Sequence, residues 1–284
     1  MLSFGARLKK AFDLHGQLCV GIDPHESVLE TWSLPDKASS LETLGKKVID
    51  SAFERVGIIK PQVAFFERFG SAGFKVLESL AEYAQSANLL VVMDAKRGDI
   101  GSTMQGYFDA WLGKAAPFAA DALTVSPFLG IQSLNDTISQ AHELGRGLFV
   151  LAATSNPEGL QIQSATKNDR TIASEIWNEL ARINSVTNSA GSLLGNFGAV
   201  IGATVNFTFL GLDSLQKIQQ PIGTPILAPG FGAQGAKLDK AADIFGASKN
   251  QVLYSVSRSV LESGPQGLAN AIELAKRQLL IGLG

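Results

Sequence analysis

The chain has 284 residues, 45% of them hydrophobic and 18% charged, with a formal net charge of -2. That is enough for a sizeable core in one large domain or two small ones, and it gives no basic surface of the kind that draws in nucleic acid. The single cysteine, Cys19, excludes an internal disulfide and suits a reducing cytoplasm. No apolar run approaches the ~20 residues that a membrane-spanning helix needs.

Residues 3–15 set Arg7, Lys9, Lys10 and Asp13 among Phe4, Leu8, Ala11 and Phe12. This pattern predicts an amphipathic surface helix, and it lacks the apolar core of a signal peptide. Short apolar runs then recur at 18–22, 58–66, 89–93, 122–125, 148–153, 199–205, 226–228 and 252–256, each reading as a buried strand. Helical patterns at 41–55, 73–85, 103–114, 132–144, 171–188 and 268–280 lie between them. Strands alternating with helices imply an α/β protein with a parallel sheet. Eight such units predict a (β/α)8 TIM barrel with an N-terminal helix, in a single domain spanning 1–284. The rival is a doubly wound open sheet. Its dinucleotide fingerprint is missing after the first strand, where Gly21-Ile22-Asp23-Pro24-His25 carries only one glycine. The segment 154–167 is long and polar for a barrel loop, and is expected to cover the mouth or decorate the rim.

In such a barrel the catalytic groups lie at the C-terminal ends of the strands. Here the first strand ends at Asp23, the second carries Lys60, and the fourth ends at Ser126-Pro127. The third ends at Asp94, with Lys96 and Asp99 in the loop beyond. The fifth and sixth end near Thr154 and Thr204, and the eighth ends in 255–258, Ser255 to Arg258. Charges in the stretch Asp94-Ala95-Lys96-Arg97-Gly98-Asp99 are costly beside a buried strand unless they pair with each other or with a ligand. An ammonium flanked by carboxylates stays protonated, and a fixed protonated lysine can hand its proton to a carbanion.

The seventh strand runs into Pro229-Gly230-Phe231-Gly232-Ala233-Gln234-Gly235. Its glycines let backbone N–H groups approach an anion, and a helix expected from near Ala236 would add its N-terminal dipole. Arg258 would add a two-pronged contact, completing a phosphate site after the last two strands. Plainer readings exist for each residue alone: a rim ion pair for Asp94 and Lys96, a turn at Asp23, a snorkelling Lys60, an acid neutralised by Arg258. All would have to hold together, at matching strand ends. His15, His25 and His142 are scattered without zinc-site spacing. His25 and His142 read as surface or packing residues, and Cys19 as core.

These motifs resemble the orotidine 5'-phosphate decarboxylase family, in its longer bacterial branch, over essentially the whole barrel. The resemblance rests on Asp94-Ala95-Lys96-Arg97-Gly98-Asp99-Ile100-Gly101-Ser102-Thr103 and on the 229–235 loop. It implies decarboxylation of orotidine 5'-phosphate to uridine 5'-phosphate (UMP), the last step of de novo pyrimidine synthesis, without metal or cofactor. It further implies that Lys96 donates the proton to C6, that Asp94 faces the departing carboxylate, and that Asp23 and Lys60 hold the ribose hydroxyls, with Lys60 also in the charge network. Ser126 would bond the pyrimidine edge, and Pro229, Gln234 and Arg258 would surround the phosphate. Asp99, Ile100 and Thr103 would enter the neighbouring subunit's site, making a cytoplasmic homodimer with shared active sites. Ser257 departs from the glycine of many relatives, but its backbone N–H survives the change. Two rivals remain: a Mg²⁺-dependent sugar-phosphate decarboxylase or synthase sharing the Asp-x-Lys-x-x-Asp pattern, and a non-catalytic barrel that binds UMP.

Overall fold

The structure is a computed structural model describing residues 2–188 and 192–284. Eight parallel strands close into a barrel in chain order: β1 (Leu18–Ile22), β2 (Ile58–Pro61), β3 (Leu90–Arg97), β4 (Ala122–Val125), β5 (Gly147–Ala153), β6 (Phe197–Ile201), β7 (Ile226–Ala228) and β8 (Val252–Val256). The seam between first and last strand is made by Leu18 against Tyr254, Cys19 against Ser255 and Val20 against Val256. Helices lie between successive strands, including Ala38–Ala52, Gly70–Ser86, Gly101–Trp111 and Ile172–Thr187. This is the (β/α)8 barrel that the strand-helix alternation predicts.

The two-residue period of a strand decides what faces inward. Cys19, Ile58, Val92, Ala122, Phe149, Val200, Leu227 and Leu253, one from each strand, form one apolar cluster inside the barrel. Their neighbours Val20, Ile59, Val91, Leu123, Leu148, Ala199, Ile226 and Val252 belong to the outer core, with helix residues such as Leu44, Val48 and Leu80. Counting two residues onward from the inner layer reaches Gly21, Lys60, Asp94, Thr124 and Ser255. The same periodicity that packs the floor therefore lifts polar groups into the layer above it.

The N-terminal helix, Phe4–His15, is more than the surface element its charges suggest. Phe4, Leu8, Ala11 and Phe12 join the inner cluster, and Phe4 packs edge-on to Phe149 with ring centroids 6.0 Å apart. The helix thus closes the end of the barrel opposite the polar layer. Ser3 caps it through a side-chain bond from the Ala6 N–H, and Arg7 pairs with Asp121 while donating to the Gly145 carbonyl at 2.8 Å.

Several boundaries differ from expectation. The second strand stops at Pro61 rather than Phe66, because the chain turns into a short helix, Ala64–Glu67. The sixth is Phe197–Ile201 rather than 199–205. The third continues through Asp94 and Lys96 to Arg97, so these two residues lie in the strand itself. Helical geometry comes two residues later than Ala236, because positive φ at Gly230, Gly232 and Gly235 folds the loop back on itself. There Gly232 N–H bonds the Ala236 carbonyl at 2.9 Å, and helical geometry starts only at Leu238. Among the described residues no helix is long and apolar enough to cross a membrane.

Candidate active site

The site begins with an irregularity in β3. Between Met93 and Arg97 the strand takes four steps while its partner β4 takes two, from Leu123 to Val125. Such a bulge bends the strand and re-aims its side chains. Lys96 sits in it at φ +50°, the left-handed region, a conformation costing a side-chain residue roughly 1–2 kcal/mol. The bend is held from both sides. Lys96 N–H donates to Thr124 Oγ1 at 2.9 Å, while Arg97 reaches outward to pair with Glu67 and lies over the rings of Tyr107 and Trp111. Gly98 passes so close to β4 that an added Cβ would fall 2.4 Å from the Ser126 carbonyl oxygen.

Asp94 and Lys96 consequently both turn into the barrel mouth, where they meet Lys60 and Asp23. Lys60 Nζ lies 3.1 Å from Asp94 Oδ2 and 3.9 Å from Asp23 Oδ1. Lys96 Nζ lies 2.6 Å from Asp94 Oδ1 and 3.4 Å from Gln62 Oε1. Thr124 donates its hydroxyl to Asp94 Oδ1 at 3.0 Å. The order Asp23, Lys60, Asp94, Lys96 alternates in sign. Lys60 is buried and the Asp94 side chain keeps only 11% of its surface open, whereas the Lys96 side chain keeps 45%.

Burial alone would push the Asp94 carboxyl up, but the ammonium groups of Lys60 and Lys96 outweigh it and hold the group down at about 2. Burial likewise opposes charge on Lys60, and the Asp94 and Asp23 carboxylates overcome it, holding its ammonium above the usual lysine range. Below the array, burial pushes the Cys19 thiol up to about 12. Cys19 is therefore a packing residue, as its sequence context suggests.

These groups open onto a cavity of about 400 Å³ that is also lined by Leu151, Val200, Leu227 and Phe65. It is lined as well by Pro229, Gly230, Gln234 and Arg258. Arg258 forms no ion pair among the described residues. Asp23 Oδ1 and Ser257 Oγ are buried without a hydrogen-bond partner there, leaving bonding capacity at the mouth.

Of the residues singled out from sequence, Asp23, Lys60, Asp94, Lys96, Pro229, Gln234 and Arg258 all line this one cavity. Four others do not. Asp99 turns aside, its Oδ1 accepting from the Ile100 N–H at 2.8 Å, and Ile100 and Thr103 are exposed on the rim. Ser126 lines a neighbouring cavity with Phe128 and Ile162, behind the Leu151 wall. Its N–H is tied to the Arg97 carbonyl at 2.7 Å, beyond the bulge. Sequence reasoning passed over Gln62, Thr124 and Ser155. Ser155 lines the central cavity and donates to Gln234 Oε1 at 3.0 Å, bridging the loops after β5 and β7. The 154–167 segment does border the mouth, and Gln163 holds it there through Thr154, accepting its N–H at 3.0 Å.

A family model described as orotidine 5'-phosphate decarboxylase / HUMPS family matches residues 16–271. The chain belongs to this family. It is 49% identical over 266 residues to the Streptomyces coelicolor orotidine 5'-phosphate decarboxylase, covering 93% of this chain and 92% of that protein. The Nocardioides sp. orotidine 5'-phosphate decarboxylase is 46% identical, with 92% of each chain covered. Among solved structures, the Leishmania donovani OMP decarboxylase superposes with a TM-score of 0.74 at 27% identity, covering 100% of both chains. A Streptomyces avermitilis protein assigned provisionally to the same activity superposes with a TM-score of 0.90 at 45% identity, covering 100% of this chain and 97% of that one.

Proposed function

We propose that this protein decarboxylates orotidine 5'-phosphate to UMP, working as a single barrel domain in the cytoplasm. The observation that carries the reading is the alternating array of Asp23, Lys60, Asp94 and Lys96, with its one open ammonium facing the cavity. Loss of CO2 from C6 leaves a carbanion in the ring plane, where no ring carbonyl can conjugate with it. Stabilisation must then come from fixed charge in a water-poor site. Lys96 supplies that charge and then the proton. Asp94, ionised throughout the working pH range, holds Lys96 in place beside the departing carboxylate.

In this reading Asp23 and Lys60 hold the ribose hydroxyls, and Arg258 and the 229–235 loop hold the phosphate. We assign the pyrimidine-edge contact to Ser155, bridged to Gln234, in preference to Ser126. Mg²⁺-dependent sugar-phosphate chemistry fits less well: Lys60 already occupies the space between two carboxylates that a divalent cation would need. A site that merely binds UMP has no use for the Lys96 ammonium beside the base.

The reading extends to a homodimer. Asp99, Ile100 and Thr103 stand outside their own subunit's cavity, where they are free to complete a partner's site. Ile100, itself 61% exposed, would be covered in such a dimer.

The test follows orotidine 5'-phosphate absorbance with purified protein in EDTA, beside Lys96→Ala. The expected result is metal-independent loss of substrate, reduced at least ~10²-fold in the variant, the lower scale for a positioned proton donor. Absence of turnover by well-folded wild type would remove the reading.

A further inference from the structure

His25 has no part in the scheme above, yet it stands in the mouth. Its backbone is pinned: its N–H donates to the Asp23 carbonyl at 2.8 Å, and its carbonyl accepts from the Val28 and Leu29 N–H groups at 3.0 Å. The imidazole lies against Phe65, with ring centroids 4.2 Å apart and planes at 60°. Both rings line the central cavity, together with Ser257 and Arg258. We propose that His25 is a further phosphate-binding residue of this site, and that it takes a proton from solvent as the nucleotide binds. The inference rests on the reading of the cavity as a nucleotide 5'-phosphate site.

The charged groups facing the ring are Asp23, from the end of β1, and Arg258 and Glu262, from the segment after β8. The β2 loop contributes the uncharged Phe65 on its other side. Burial is the first influence and disfavours the imidazolium; Arg258 adds to it, while Asp23 and Glu262 oppose it. The net direction is downward, so the ring is neutral at physiological pH in the protein alone. A phosphoryl dianion beside Arg258 reverses that balance, cancelling the cation's repulsion and adding negative charge of its own. The ring then becomes a charge-assisted donor, held in place by Phe65.

The sign of the proton linkage isolates His25. A phosphate monoester has its own second pKa near ~6, and a cationic site that selects the dianion drives proton release from the ligand. Uptake has the opposite sign and needs a group on the protein. Calorimetry of UMP binding at pH 7.5, in buffers of different ionisation enthalpy, reads this directly. The expected result is net proton uptake by wild type and none by His25→Asn or His25→Gln, both of which still bind UMP. Their affinity at pH 6.5 should be about tenfold weaker than wild type, the scale of one hydrogen bond to a charged group. No uptake by wild type, or uptake unchanged in both variants, overturns the role of His25 and leaves the nucleotide site standing. Failure of wild type to bind UMP overturns the nucleotide reading itself, and this inference with it.

Discussion

Asp94 serves two ammonium groups at once, one buried and one open to the cavity. Its first partner, Lys60, would be a costly buried cation without it, since Asp23 stands further off at 3.9 Å. Removing one member of a buried pair typically costs ~3–5 kcal/mol, and Asp94→Asn is expected to lie at the lower end because Asp23 remains. Urea unfolding at neutral pH reads that loss. The acid side separates the charge effect from packing. With its folded value at about 2 against an ordinary 3.8, Asp94 binds protons more readily when unfolded. Its contribution is present above the ordinary value and disappears as pH falls through about 4 towards 2. By the size of that shift the loss is about 2 kcal/mol. Asp94→Asn should start less stable and decline less across that window, so the two urea-midpoint curves converge in acid; parallel curves would count against the assignment. Lys60 acts in the opposite sense, its contribution fully present at neutral pH and lost only in strong alkali.

The N-terminal helix and the bulged third strand prepare the two ends of the barrel. The helix seals the floor with Phe4, which is fully buried against Phe149. Phe4→Ala should cost ~3–5 kcal/mol, the usual range for a buried phenylalanine. Because Phe4 lies at the far end from the charge array, turnover per folded molecule should stay near wild type. Urea midpoints and activity corrected for folded fraction together check this. Sequence periodicity was enough to find all eight strands, since each strand is buried on both faces and reads as an apolar run. It also brought Asp23, Lys60, Asp94 and Arg258 to one mouth, because strand ends in a parallel barrel share a side. What it missed turns on local backbone geometry. A lysine at positive φ leaves no mark in composition, so the strand was expected to end at Met93 or Asp94 instead of bulging on to Arg97. That bulge resets pairing with β4 and ties Ser126 to Arg97, away from the cavity. Ser126 and Ser155 are both serines following strands, and only the fold distinguishes the one that faces Gln234. The floor-sealing helix reads as a surface element from sequence because its charged face is as evident there as its apolar one.

The proposed homodimer would give a use to residues that one chain leaves outside its own cavity. Asp99 belongs to the Asp94–Asp99 charge motif, yet among the described residues its side chain bonds only the neighbouring Ile100 N–H and stands apart from the Asp94–Lys96 pair. Ile100 beside it is 61% exposed, and the proposed second copy would cover it. A two-fold interface is self-complementary, so a residue lent to one partner's site is lent by both. Shared sites make a prediction that separate sites do not. Lys96→Ala and Asp99→Ala homodimers should each be nearly inactive, because every site lacks one group. In a hybrid, one site collects both defects, while the other takes Lys96 from one chain and Asp99 from the other and is intact. Refolding an equal mixture of the two variants should therefore restore a substantial share of wild-type turnover, which disappears when either variant is refolded alone. If Asp99 acts within its own chain, each site of the hybrid retains one defect and mixing restores nothing. A monomer in sedimentation at catalytic concentrations would remove the shared-site reading altogether.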